Sequence, residues 1–293
     1  MEESSMKLAV LSGKGGTGKT LVAVNLANVA TEAIYLDCDV EEPNGHLFFK
    51  SSQVQTQDVK VKIPQINQEL CSGCRRCVNF CKFNALAFIG KKVKVFESIC
   101  HSCGGCSLFC PSQAIIEVDK TIGRIETGKY KNVEVNSGFL NIGEASGVPI
   151  IKQLLRKNLK KNKVVIIDCP PGSACVVMES IREADYCILV AEPTIFGVHN
   201  LAMVHELVEV FQKKFAVVLN KCLVGINPAE AYCVQNNLKI LAKIPFDKIL
   251  GKANSEGEII SNDNSSYQEL FKNLLNSIKQ EVVRLEDERT ISS

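Results

Sequence analysis

The sequence predicts an α/β fold: a mostly parallel sheet with helices on both faces, interrupted by a small α+β insertion. Three observations carry that expectation. Apolar runs ending in an acid or a glycine-rich turn alternate with stretches of helical spacing, the order expected of strands joined by crossover helices. Runs such as Val164-Val165-Ile166-Ile167-Asp168 lack polar alternation, as strands covered on both faces do. Between residues 63 and 120 the composition changes, and eight of the 14 cysteines fall from Cys71 to Cys110. The expected organisation is residues 1–62 as the first part of the α/β domain, 63–120 as the insertion and 121–293 as its second part.

At 293 residues and 46% hydrophobic composition the chain can bury a large core. Its net charge of +2 argues for neither nucleic acid nor an anionic membrane as partner. No apolar run approaches the roughly 18 residues of a membrane span. The start, Met1 to Lys7, lacks the apolar core of a signal peptide, so a cytoplasmic protein is expected. In a reducing compartment 14 cysteines favour metal or redox use over disulfides.

The first strand, Leu8 to Leu11, runs into Gly13-Lys14-Gly15-Gly16-Thr17-Gly18-Lys19-Thr20, and a helical pattern follows from Leu21 to Ala30. That is G-x-x-x-x-G-K-[ST] in its strand–loop–helix setting, a phosphate-binding loop. Glycines let backbone N–H groups close on an anion, and the following helix points its positive end at it. Lys19 can reach the β and γ phosphates and the Thr20 hydroxyl can ligate Mg²⁺. The next strand, Ala33 to Asp39, ends in Asp37 and Asp39, which should stand beside the loop, because ligands bind beyond the carboxyl ends of such strands. Cys38 between them reads as core.

Residues 51–62 are polar and read as a linker. Then come Cys71-x2-Cys74-x2-Cys77-x3-Cys81 and Cys100-x2-Cys103-x2-Cys106-x3-Cys110-Pro111. This is the two-cluster bacterial ferredoxin signature, in which the fourth cysteine of each run ligates the other cluster. Cys71, Cys74, Cys77 and Cys110 are therefore expected around one [4Fe–4S], and Cys81, Cys100, Cys103 and Cys106 around a second. Zinc sites instead pair C-x2-C with a distant C-x2-C or with histidines. Apolar stretches after each half, Ala85 to Phe88 and Ala114 to Ile116, predict matching strands. Lys82 stands where the first half would carry proline.

Thr121 to Asn141 predicts a hairpin returning to the sheet, and Ile150 to Leu159 a helix. Asp168 ends its strand as the acid of the magnesium shell, followed by the loop Pro170-Pro171-Gly172. Further strands are expected over Tyr186–Ala191, Phe215–Asn220 and Leu241–Phe246, with a helix from Val198 to Phe211. Asn220-Lys221-Cys222-Leu223 starts like the guanine-reading N-K-x-D but lacks its aspartate, which favours ATP. Asn220 and Pro245 are placed near the base. A last helix, Tyr267 to Leu285, carries Leu270, Phe271, Leu274, Ile278 and Val282 at core spacing and is expected to dock on the sheet.

With Lys14 before the paired glycines and D-x-D after the second strand, the sequence resembles the deviant P-loop ATPases that include MinD, ParA and the nitrogenase iron protein. With the cysteine runs added, it resembles over nearly its whole length the MinD-like members that carry an inserted ferredoxin domain. The resemblance implies that Lys14 reaches across an ATP-dependent homodimer to the partner's nucleotide. It implies that Asp39 positions the attacking water and senses the γ-phosphate, with Asp37 on the magnesium side and Asn44 a loose match to a downstream asparagine. Lys14, Lys19 and Asp39 are then the catalytic candidates. Cys175 lies where the nitrogenase iron protein has a cluster ligand. No cysteine occurs between Thr121 and Asp168 to complete such a bridge, so a buried or free thiol is expected.

Three functions fit these expectations. The first is ATP-gated, low-potential electron transfer through two [4Fe–4S] clusters to or from a redox or metalloprotein partner. The second is ATP-dependent assembly or delivery of a metal cluster, although the C-terminal C-P-x-C of the cluster-carrying relatives is absent. The third is a positioning switch of the MinD or ParA kind. Membrane attachment through the last helix is disfavoured by Glu286-Asp287-Glu288, which anionic lipid would repel.

Overall fold

The computed structural model describes residues 5–156, 163–225 and 227–291. The elements run β1 (Met6–Leu11), α1 (Lys19–Val29), β2 (Ala33–Asp37), α2 (Gly45–Phe49), β3 (Ser52–Ile66), α3 (Arg76–Phe80), β4 (Leu86–Ile89) and β5 (Lys92–Val95). They continue as α4 (Gly105–Leu108), β6 (Ile115–Tyr130), β7 (Val133–Leu140), α5 (Val148–Leu155), β8 (Val164–Asp168), α6 (Cys175–Ile181), β9 (Tyr186–Ala191) and α7 (Ile195–Val210). The chain closes with β10 (Lys214–Cys222), α8 (Pro228–Gln235), β11 (Ile240–Pro245), α9 (Lys248–Ser255) and α10 (Ser265–Ile291).

One nine-stranded sheet has the order β11-β10-β9-β1-β8-β2-β7-β6-β3. Every pair from β11 through β7 is parallel; β6 and β3 add antiparallel at one edge. The central strands β1, β8 and β9 are wholly or mostly buried because helices cover both faces. On one face α1, α2, α9 and α10 pack Leu26, Phe49, Leu250, Phe271 and Ile278 onto Leu8, Tyr35 and Ile188. On the other, α5 to α8 pack Ile151, Val177, Val204 and Cys233 onto Leu36, Ile167 and Leu189. Each fully buried aliphatic side chain contributes about 1.5–3 kcal/mol, so these two layers hold the sheet.

The last helix docks on the sheet as expected, through Tyr267, Phe271, Leu274, Leu275 and Ile278, with Leu270 and Val282 at its border. Leu159, and the side chains of Leu285 and residues 286–288, lie outside the described residues. Among the described residues no helix is long and apolar enough to cross a membrane.

Residues 51–62 are not a linker. They form most of β3, which pairs with β6 from Ser52–Lys129 to Ile66–Ile115. An edge strand needs few apolar residues, because one side and much of one face meet water. Only Val59 and Ile63 of β3, with Pro64, are buried, so its composition looks polar. The hairpin expected after Thr121 is β6–β7, and it returns the chain beside β2.

The distal ends of β3 and β6 carry the cysteine runs as a lobe. Its two halves repeat one backbone plan. Gly73 and Ser102 have positive φ, as do Arg75 and Gly104 just before α3 and α4, and Asn84 and Gln113 just after them. The strands after the halves pair differently from each other: β4 turns back on β5, whereas Ile115 and Ile116 open β6 and pair with β3. A small core of Cys77, Leu86, Val93, Cys106 and Ile115 holds the lobe.

Candidate functional site

The carboxyl ends of β1, β8 and β2 meet one cavity of about 750 Å³. Its lining includes Lys14, Gly15, Gly16, Gly18, Lys19, Thr20, Asp39, Pro171, Asn220 and Pro245. The phosphate loop leaves β1 and enters α1 through Gly18, whose φ of 96° excludes a side chain without strain. A Cβ there would lie 2.0 Å from Asn220 Nδ2, so this glycine also lets the loop close on β10. Gly18→Ala is expected to lower thermal stability and nucleotide affinity together, as read by thermal melts with and without ADP; an unchanged melt would mean that the loop tolerates the clash.

Register places the acids. Asp37 and Asp168 are paired residues at the ends of the adjacent parallel strands β2 and β8. Both are buried. Lys19, 6% exposed, puts Nζ 2.9 Å from Asp168 Oδ1 and 3.6 Å from Asp39 Oδ2. Asp168 Oδ2 accepts from the Tyr35 hydroxyl at 2.8 Å. Asp37 Oδ2 accepts from the Gly45 N–H at 2.8 Å. Burial, then the neighbouring Asp168 charge, pushes the Asp37 carboxyl up to about 8. Burial likewise raises Asp39 to about 6, against the pull of Lys19. Burial alone would lower the Lys19 ammonium, but Asp168 and Asp39 outweigh it and hold it above its ordinary value. The site thus gathers the carboxyl groups of Asp37, Asp39 and Asp168 around one lysine, an arrangement that suits a divalent cation.

Lys14 ion-pairs with Glu192 Oε1 at 2.5 Å within its own chain. Lys221 reaches Glu192 Oε2 at 3.4 Å and donates to Gly16 O at 2.7 Å. Burial would raise the Glu192 carboxyl; the two ammonium groups outweigh it and hold it low. The Asn220 amide donates to Thr17 O at 2.7 Å and so braces the loop. The Gly172 N–H donates to Ser12 O at 2.9 Å, which ties the Pro170–Gly172 turn to the end of β1. Two residues after Pro245, Asp247 lines the cavity. Its Oδ1 caps α9 at Ile249 N and its Oδ2 accepts from the Tyr267 hydroxyl. Both oxygens are engaged, so it is poorly placed to accept from guanine ring donors.

Glu192, Tyr35 and Lys221 were not singled out as site residues from the sequence. Glu192 had a readable signal, an acid at the end of an apolar strand. Tyr35 had none beyond being an aromatic in a strand.

The loop fits a bound polyphosphate by one further observation. Among the described residues Thr17 Oγ1 is buried with no hydrogen-bond partner, beside backbone that a phosphate would approach. Thr20, half-buried at the first turn of α1, is the hydroxyl available to a cation.

The lobe sorts its cysteines by position. One cavity is ringed by Cys71, Cys74, Cys77 and Cys110. A second, about 240 Å³, is ringed by Cys81, Cys100, Cys103 and Cys106 among Pro64, Phe83 and Leu86. Cys81 and Cys110 thus face the quartet of the opposite half. Each accepts a backbone N–H at 3.3 Å, from Ala85 and Ala114. The Arg76 N–H holds the exposed Cys74 thiol low, while burial pushes Cys106 up to about 11. Among the described residues no three Cys, His, Asp or Glu side chains converge as a single metal ion requires. Cys38 is fully buried, and Cys175 is a free, exposed thiol at the start of α6.

A phosphate loop between a central parallel strand and a helix, with acids at adjacent strand ends, defines a P-loop nucleotide-binding domain. The chain belongs to the CobQ/CobB/MinD/ParA nucleotide binding domain family, which it matches over residues 8–260. It is 32% identical over 281 residues to the uncharacterized protein MJ0578 of Methanocaldococcus jannaschii, covering 94% of this chain and 97% of that one. To MJ0579 of the same organism it is 31% identical over 277 residues, covering 92% and 97%. Its fold is like that of the Pyrococcus furiosus cell division ATPase MinD, with TM-score 0.59 and 16% identity, covering 94% of this chain and 99% of that one. It is also like the Pyrococcus horikoshii septum site-determining protein MinD complexed with Mg-ADP, with TM-score 0.56 and 18% identity, covering 94% and 96%.

Proposed function

We propose that this protein is a MinD/ParA-type switch that binds Mg²⁺-ATP, dimerises and hydrolyses it, and that the cysteine lobe is the part the switch controls. The observation that carries the reading is Lys19 lying between Asp168 and Asp39 inside the loop cavity. The ammonium neutralises those acids. With a triphosphate bound, Lys19 would turn to the phosphates, and Asp168 with Asp37 would hold the water shell of Mg²⁺, which would supply charge neutralisation there. Asp39, at the mouth of the site, orients the attacking water. Lys14 leaves Glu192 and reaches a second copy's nucleotide.

The experiment is a pair of variants. Lys14→Ala is expected to keep most ATP affinity but neither dimerise nor turn over. Asp39→Ala is expected to bind ATP, dimerise and stall. Each should lose on the order of 10²-fold or more in hydrolysis, because positioning and charge stabilisation supply most of the rate. Light scattering with ADP and with a non-hydrolysable ATP analogue reads the dimer. A monomer in every nucleotide state would sink the switch.

A second reading, ATP-gated electron transfer, is favoured by the two cysteine quartets. On that reading residues 63–120 carry two [4Fe–4S] clusters between the parts 1–62 and 121–293, and the clusters supply one-electron chemistry. The backbone N–H groups at Ala85 and Ala114 tune them by donating to Cys81 and Cys110. The lobe is joined to the sheet through β3 and β6, and β3 follows Asp39 by way of α2. Nucleotide state can therefore bear on the lobe through continuous strands. Cluster potentials that differ between ADP and the ATP analogue would support the coupling; identical potentials would leave a switch without it. Iron passing to an apo-acceptor during turnover would instead favour cluster delivery.

A further inference from the structure

We infer that Tyr35 is a positioning residue for the magnesium-side carboxylate Asp168; the inference rests on the Mg²⁺-nucleotide reading above. Tyr35 stands in register with Ile166 of β8, and Asp168 lies two residues further along the same face of that strand. The phenol therefore lies along the neighbouring strand and brings its hydroxyl to the buried Asp168 Oδ2, 2.8 Å away. Tyr35 is 0% exposed, and a hydroxyl buried so deeply is costly unless it is bonded. An aliphatic residue would fill a sheet core without that cost, so the hydroxyl acts on its partner.

The ring cannot easily turn away. Phe49 packs on it with centroids 4.9 Å apart. Gly45 also lies against it: a Cβ there would be 2.3 Å from the ring. The two oxygens of Asp168 then have different fates. Oδ1 is held by Lys19 and is released when Lys19 turns to phosphate; Oδ2 stays with Tyr35. The carboxylate keeps one orientation through the exchange and presents Oδ1 to the site.

The test measures ADP affinity by calorimetry across MgCl₂ concentrations and in EDTA, for wild type, Tyr35→Phe and Phe271→Leu, with thermal melts of each. Loss of the hydroxyl is expected to raise the Mg²⁺ concentration for half-maximal affinity by roughly 10-fold or more, the usual effect of removing a partner of a metal-side ligand. Binding in EDTA should not change. Phe271→Leu, a change in a fully buried ring of α10, leaves Tyr35 and Phe49 in place and is expected to melt lower with its Mg²⁺ dependence intact. Unchanged Mg²⁺ dependence in Tyr35→Phe, an equal loss in EDTA, or a Tyr35→Phe chain that does not fold without nucleotide would overturn the inference in favour of a packing role. Wild-type ADP affinity indifferent to Mg²⁺ would instead overturn the reading on which it rests.

Discussion

Lys19→Ala is expected to lower Mg²⁺-dependent ATP affinity by about two to three orders of magnitude, measured by calorimetry. The estimate follows from truncating one partner of a desolvated charge pair, which costs roughly 2–5 kcal/mol, each 1.4 kcal/mol being tenfold. The geometry adds a second readout. Lys19 is the cation between Asp168 and Asp39, and Asp168 pairs across the sheet with buried Asp37. Removing it leaves these carboxylates uncompensated, at a cost to folding of about 3–5 kcal/mol. The variant should melt well below wild type without Mg²⁺ and recover part of the loss when Mg²⁺ is added. ATP affinity equal to wild type would mean that the loop is only structural.

Protein purified without oxygen is expected to carry about eight irons and as much labile sulfide, as two [4Fe–4S] clusters. Cys81→Ser should damage the cluster of Cys100, Cys103 and Cys106, and leave that of Cys71, Cys74, Cys77 and Cys110 largely intact. Iron and sulfide analysis with electron paramagnetic resonance reads both outcomes. Cys81 lines the cavity of the second-half cysteines, and Cys110 that of the first. Zinc without labile sulfide in anaerobic protein would refute the cluster assignment. Loss of the first quartet's cluster in Cys81→Ser would refute the crossed ligation.

Much of the site was legible because its chemistry is local. Gly13 to Thr20 need only be near one another in sequence to cradle a phosphate, and glycine spacing records that. Each C-x2-C-x2-C run likewise fixes three thiols within two turns of chain. Asp37 and Asp168 could be placed at strand ends because long apolar runs in a crossover fold must be parallel strands, and such strands leave their carboxyl ends on one side.

Other features depended on which strands became neighbours. Residues 51–62 looked like a linker because an edge strand carries few apolar side chains; the pairing of β3 with β6 supplies its structure, and a polar sequence does not announce that partner. The ion pair between Lys14 and Glu192, and the Asn220 brace on Thr17, join residues from β1, β9 and β10, whose order in the sheet differs from their order in the chain. Tyr35 and Asp168 are 133 positions apart and meet only because β2 lies against β8 in one particular register. A shift of one residue would turn Tyr35 to the opposite face. The sequence by itself determined which groups this protein has at the phosphate loop, at the strand ends and in the two cysteine runs, because the spacing of each motif is a short-range property of the chain. The tertiary structure decided which buried groups hold those residues in place, because register and strand order arise from packing over the whole sheet.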